Sequence, residues 1–205
     1  MDSRLVAWAR AVKSRSGKSP AGRSGPAGRA VLWMFTDAAR LADPLAAARA
    51  LPPGLGGVVL RDDLAPGRLA LGQALARLCR QRRLALVVAG DWRLARRLRA
   101  GLHLRGGRWP AGAPPGWALL TSSAHDRVEL ARARARGATL AFVSPAFPTP
   151  SHPGAGGLGA VRWAALAKRA RVPVAGLGGI DGATARRLPR WAAGAGAIGA
   201  ISPGR

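Results

Sequence analysis

The sequence is short of cysteine, lysine and acidic residues, and it contains no long apolar run. Its one cysteine, Cys79, lies in the apolar-periodic stretch "LALGQALARLCRQ". That excludes a disulfide framework or a Cys-rich zinc site, and Cys79 itself reads as a small buried hydrophobe. No stretch nears the roughly eighteen uninterrupted apolar residues of a membrane helix, so the expectation is a soluble chain with no membrane association. The opening "MDSRLVAWARAVKSRSGKSPAGRSGPAGRA" lacks the compact apolar centre and cleavage site of a secretory signal, although its Arg/Ser richness resembles a transit peptide. The expected location is the cytoplasm.

Acidic residues number 9 against 33 basic ones, giving a net charge of +24, and the only lysines are Lys13, Lys18 and Lys168. Such a charge suits a phosphate-neutralising nucleic-acid binder. The arginines, however, are spread over every predicted helix ("RLARRLRA", "RVELARARARG", "KRARV", "ARRLPR") instead of forming one stripe. No nucleic-acid motif accompanies them, so solvated helix faces and a coding bias toward Ala, Gly, Arg and Pro are the preferred reading.

The chain has 205 residues, 48% of them hydrophobic, which fits one domain with one sizeable core. From residue 31 onward, short apolar runs alternate with longer segments of helical period, the pattern of βα units and a parallel sheet. Eight strands are predicted, at 31–37, 57–63, 84–90, 101–107, 117–123, 139–145, 173–179 and 197–202. Helices are predicted at 38–50, 67–82, 92–99, 126–136, 159–170 and 182–192. Between the fourth and fifth strands only "RWPAGAPPG" is found, so the fourth outer helix is expected to be lost, and the last outer helix likewise. The fold class expected is α/β, a single (β/α)8 TIM barrel over 31–205, behind a basic N-terminal extension over 1–30. In that extension "SRLVAWARAVK" places Leu5, Trp8, Ala9 and Val12 on one helical face, fit to cover bare barrel or a second subunit in a homo-oligomer. Residues 14–29 read as a flexible linker.

In a parallel barrel, function gathers at the C-terminal strand ends. Those ends carry Thr36 and Asp37, then Arg61, Asp62 and Asp63, then Gly90 and Asp91, Arg105, Ser122, Ser123 and His125. Beyond them come Ser144 with the loop 145–154, Gly178 and Gly179, and Ile201 and Ser202. The motifs "FTD", "VVLRDD", "GLHL", "SSAH", "SPAFPTPSHPGAGGLG", "PVAGLGGI" and "GAIGAIS" follow the order and spacing of the thiamine-phosphate synthase / thiazole tautomerase family, which this sequence resembles over residues 31–202. The resemblance implies an enzyme that joins a pyrimidine pyrophosphate to a thiazole phosphate with release of pyrophosphate, its partners being those phosphorylated small molecules.

The glycine turns also suit an anion by their own chemistry, since loops after the seventh and eighth strands commonly cradle phosphate with backbone N–H groups. Gly178, Gly179, Ile201 and Ser202 are the residues expected there. The resemblance further implies that Thr149, Ser151 and His152 close over pyrophosphate, His152 standing where synthases have lysine and able to serve only when protonated. Arg61 matches an arginine that meets the pyrophosphate, flanked here by Val59 and Asp63 where the family has glutamine and lysine. Ser123 matches a serine facing the reacting groups, while His103 and His125 read as structural.

The resemblance implies Mg²⁺, but the usual Asn-Asp at the end of the third strand is Ala89-Gly90, and "RGGR" around the fourth lacks a carboxylate. Asp91, shifted by one residue, is the candidate ligand, with neutralisation by Arg105 as the alternative. Rival readings are a weakened paralogue that binds a thiazole or thiamine phosphate without making the bond, a tautomerase disfavoured by Pro145 at its catalytic histidine's position, and a nucleic-acid-binding barrel.

Overall fold

The computed structural model describes residues 1–16, 30–61, 66–149 and 156–201. Eight parallel strands close into a barrel in chain order: β1 (Leu32–Phe35), β2 (Gly56–Leu60), β3 (Ala85–Ala89), β4 (Gly101–Leu104), β5 (Leu120–Ala124), β6 (Leu140–Val143), β7 (Val174–Leu177) and β8 (Gly194–Ala197). Pairing of Leu32 with Ala195 and of Met34 with Ala197 joins the first strand to the last. Outside lie α1 (Ser3–Ser16), α2 (Pro44–Ala50), α3 (Arg68–Arg82), α4 (Trp92–Leu98), α5 (Arg127–Ala135) and α6 (Gly159–Lys168). Among the described residues no helix is long and apolar enough to cross a membrane.

Both strand faces are buried, which is why the strands read as continuous apolar runs and not as alternating ones. On β1, Leu32 and Met34 face the helices, while Trp33 and Phe35 point into the barrel with Val59, Val87 and Phe142. The Phe142 ring meets Trp33 edge-on at 5.5 Å and Phe35 at 4.9 Å, the geometry that aromatic quadrupoles favour. Such bulk leaves no room on neighbouring strands. A Cβ at Gly57 would stand 2.5 Å from the Trp33 ring, and one at Gly196 would stand 2.8 Å from Phe35.

That crowding explains the largest departure from expectation. The eighth strand is the Gly/Ala run 194–197, not 197–202, where Gly199–Ile201 forms a 3-10 turn. β-Propensity favours the isoleucines of "AIGAIS", but packing against Trp33 and Phe35 demands the smallest side chains. The helix predicted over 182–192 is likewise only a 3-10 turn, Ala185–Arg187. Leu188, held extended at φ −68° and ψ 145° by the proline that follows, ends it. The helix predicted from residue 38 starts at Pro44, where Asp43 accepts the Ala46 N–H at 2.8 Å and caps it.

As expected, no helix joins β4 to β5. The connecting loop is pinned instead by indole N–H groups: Trp92 donates to Ala111 O, Trp109 to Ala113 O and Trp117 to Pro114 O. The place of a last outer helix is taken by α1. Leu5, Ala9 and Val12 are buried in the main core, and Trp8 packs partly against it. Asp2 N donates to Ala200 O and Asp2 Oδ2 accepts from Gly182 N, past the ends of β8 and β7. At the other end Lys13 Nζ donates to Gly54 O, just before β2. The helix therefore runs antiparallel to the strands, against β8. The linker expected over 14–29 begins as the last turn of α1, and 17–29 lie outside the described residues.

His103 lies inside the barrel between Phe35 and Phe142, with Nδ1 2.8 Å from Thr121 Oγ1. Burial, and then the charges of Arg105 and Arg61, push its pKa down to about 3. Between that value and about 6.5 the unfolded chain binds a proton that the folded chain refuses, so stability should fall on acidification by up to about 1.4 kcal/mol per pH unit. The depressed carboxylates Asp2, Asp37 and Asp181 act chiefly below the ordinary aspartate value of 3.8, leaving pH 6.5 to 5 to the imidazole. Urea unfolding at pH 7, 6 and 5 should show a smaller loss for His103→Gln than for wild type. Equal losses would mean that His103 is not the group responsible.

Candidate active site at the C-terminal mouth

The ends of β1 and β2 are locked together. Thr36 Oγ1 accepts the Arg61 N–H at 2.9 Å, which brings the Arg61 side chain to Asp37. The Asp37 carboxylate accepts from Arg61 Nη2, from Arg40 Nε and Nη2, and from the Ala39 N–H. Its burial would raise the carboxyl pKa, but the Arg40 hydrogen bond and the Arg40 and Arg61 charges outweigh that and hold it below the ordinary value. One carboxylate thus answers two guanidinium groups. Arg61, with 44% of its side chain exposed, keeps donors to offer at the mouth beyond the one that Asp37 fixes.

After β3, Asp91 accepts the Leu94 N–H at 2.9 Å through Oδ1 as the N-cap of α4. Its Oδ2 pairs with Arg68 Nη1 at 3.3 Å, and Arg68 also donates to Ala89 O at 3.0 Å. Arg105, at the end of β4, lies beside this point: a Cβ placed on Gly90 would be 3.7 Å from its Cζ. Among the described residues no three His, Cys, Asp or Glu side chains come together in a way that could hold a metal. Both oxygens of Asp91 are engaged and a guanidinium borders the strand end, so the residues present there do not fit Mg²⁺, which requires oxygen ligands.

Ser123 Oγ accepts the Gly106 N–H at 3.2 Å and Ser122 Oγ accepts the Gly107 N–H at 3.0 Å. The two serines so hold the turn that follows Arg105, and the half-buried Ser123 keeps its hydroxyl proton for another acceptor. His125 ties β5 to β6, its Nδ1 2.9 Å from Ser144 O and its N–H bonded to Glu129 Oε2 at 2.8 Å. With a carbonyl as partner, Nδ1 carries the proton.

The turn after β7 docks against the segment after β6. Ala146 N donates to Leu177 O and Phe147 N donates to Gly178 O. Gly178 and Gly179 adopt φ of +87° and +65°, and a Cβ on Gly179 would stand 2.4 Å from Pro148 O. The N–H groups expected to open a helix here are already engaged: Asp181 N with Thr184 Oγ1, Gly182 N with Asp2, and Ala183 N and Thr184 N with Asp181 Oδ1. The backbone at 178–180 and the Gly199–Ile201 turn remain as the anion-facing candidates, with Ile201 buried. Thr149 ends the described part of the 145–154 loop; Ser151, His152, Ser202, Asp62 and Asp63 lie outside the described residues.

The partnership of Asp37 with Arg61, the Arg68–Asp91 pair and the anchoring by Asp2 were not legible in the sequence. Adjacency of the β1 and β2 ends was the one available signal for the first. Arg68 and Asp2 carried none, since each depends on where a helix end lands.

The family described as Thiamine monophosphate synthase matches residues 34–203. A thiamine-phosphate synthase of Roseiflexus castenholzii is 35% identical over 187 residues, covering 85% of this chain and 79% of that protein. The thiamine-phosphate synthase of Mycobacterium avium is 36% identical over 178 residues, covering 77% and 78%. Among solved structures, thiamine phosphate pyrophosphorylase from Pyrococcus furiosus has the same fold, with a TM-score of 0.68 at 23% identity over 84% of this chain and 87% of that one.

The collision at Gly179 can be measured. Gly179→Ala and Gly112→Ala share the strain of a side chain at positive φ, about 1–2 kcal/mol, but Gly112 faces open space. Gly179→Ala should therefore lower Tm by more than Gly112→Ala, by several degrees at about 2–4 °C per kcal/mol. Equal shifts would show that the β6 and β7 turns do not need this close approach.

Proposed function

The chain belongs to the thiamine monophosphate synthase family, and on that premise we propose that it makes thiamine phosphate by joining hydroxymethylpyrimidine pyrophosphate to thiazole phosphate. It is an enzyme of thiamine biosynthesis, and we place its work in the cytoplasm. The observation that carries the finer reading is Arg61, held by Asp37 at the mouth of the barrel with exposed donors remaining.

The reaction separates charge. The carbon–oxygen bond to pyrophosphate breaks with its electron pair leaving on the pyrophosphate, and the thiazole nitrogen then closes a carbon–nitrogen bond on the pyrimidine methyl cation. Catalysis of such a step is mostly positioning and stabilisation of the departing anion. In this reading Arg61, Thr149, Ser151 and His152 hold the pyrophosphate, and Ser123 lies near the reacting carbon. The thiazole phosphate rests on the backbone of Gly178, Gly179, Ile201 and Ser202. Mg²⁺ is the cofactor that the family resemblance implies; Asp91, its sequence candidate, is engaged as a helix cap, and no step here is routed through a metal.

Purified protein supplied with both precursors should release thiamine phosphate and pyrophosphate in equal amounts. Arg61→Ala should lose on the order of a hundredfold or more in kcat, as when a donor to a developing anion is removed. No product under any condition, with thiazole phosphate still bound, would replace the synthase reading by that of a binding paralogue. Titration with thiazole phosphate and with its unphosphorylated alcohol tests the second half of the site, and equal affinities would remove the glycine turns from it.

A further inference from the structure

Of the seven acidic residues among those described, every one accepts a hydrogen bond from a backbone N–H: Asp2 from Gly182, Asp37 from Ala39, Asp43 from Ala46, Asp91 from Leu94, Asp126 from Glu129, Glu129 from His125 and Asp181 from Ala183. The carboxylates are committed to holding the fold. Guanidinium groups, in contrast, converge on the mouth. Arg61 and Arg105 approach from β2 and β4, the two strands that flank β3, and Arg68 enters from the start of α3 to bond Ala89 O at the end of β3 itself.

We infer that this chain neutralises its pyrophosphate with guanidinium groups, Arg105 foremost, at the end of β3, and needs no divalent cation to do so. The inference rests on the synthase reading above and adds the means by which that reaction's leaving group is bound. Gly90 is the pivotal position. With φ +72° and no side chain, it leaves the space beside the strand end to Arg105, whose Cζ and Nε would both lie 3.7 Å from a Cβ there. A divalent cation at this point would face a fixed positive charge, and Asp91, the carboxylate next to it among the described residues, has one oxygen on a backbone N–H and the other on Arg68. A phosphate at the same point meets the opposite situation. Guanidinium stays charged throughout the working range of pH and offers a planar fork of donors that matches two phosphate oxygens at once.

Titration calorimetry with inorganic pyrophosphate, in EDTA and again with Mg²⁺ added, separates the two ways of holding the anion. Wild type should bind in EDTA, and no more tightly when Mg²⁺ is present. Arg105→Ala should weaken binding on the order of tenfold or more in both buffers, the range for a hydrogen bond to a charged group. Arg105→Lys keeps the charge without the fork and should fall between. Gly90→Asp, a residue that tolerates positive φ, sets a carboxylate against Arg105 and should lose affinity in EDTA and regain it with Mg²⁺. Pyrophosphate binding by wild type only when Mg²⁺ is present, or an Arg105→Ala protein that binds as wild type does, would overturn the inference. Binding through Arg105 in EDTA without any joining of the two precursors keeps this inference and removes the synthase reading. Joining that requires Mg²⁺ does the reverse.

Discussion

The interior of the barrel is filled by three rings, and much else in the molecule follows from the space they take. Trp33, Phe35 and Phe142 pack edge to face, so a strand that points straight at a ring must carry glycine there. β2 meets that requirement with Gly57 and β8 with Gly196. His103 fits among the rings only as a neutral imidazole bonded to Thr121. The backbone register around these rings sets which strand ends face one another. The Asp37–Arg61 contact exists because β1 and β2 are adjacent in that register.

Scarcity of acid is the second theme. With so few carboxylates, each described one serves the backbone as a helix cap or turn anchor, roles in which a side-chain oxygen satisfies N–H groups that the helix itself leaves unpaired. Four of the helices, α1, α2, α4 and α5, start on such a residue. Over the whole chain the arginines far outnumber the acids, at a net charge of +24. On the proposed reading, charge that elsewhere only solvates helix faces would serve, at this rim, to attract and orient anions.

The architecture was readable because burial on both faces leaves a strong imprint: eight apolar runs separated by helical periods leave few alternatives to a parallel barrel. β8 was misplaced by about three residues because its Gly/Ala composition reflects the rings across from it, a tertiary cause that local propensity cannot register. The segment 182–192 has helical composition, but Pro189 forces Leu188 out of the helical region. At the mouth, Arg61, Arg105 and the glycine turns were visible as strand-end residues. The engagement of Asp91 was not, since whether an aspartate caps a helix or faces a ligand depends on where the helix begins.

The seam between the two ends of the chain has a consequence for how the protein is made. Asp2 bonds Gly182 across 180 positions and Ala200 across 198, and α1 buries Leu5, Ala9 and Val12 against strands and turns that are synthesised much later. On the ribosome, α1 emerges with an apolar face that has nothing native to cover it until β7, β8 and the turns after them, some 180 residues further on, have followed. At about 5–20 residues per second that interval is on the order of ten seconds or more. The barrel cannot close earlier either, since β1 waits for β8. Over that interval the apolar face of α1 is the kind of exposed surface that invites misassociation and that holding chaperones cover.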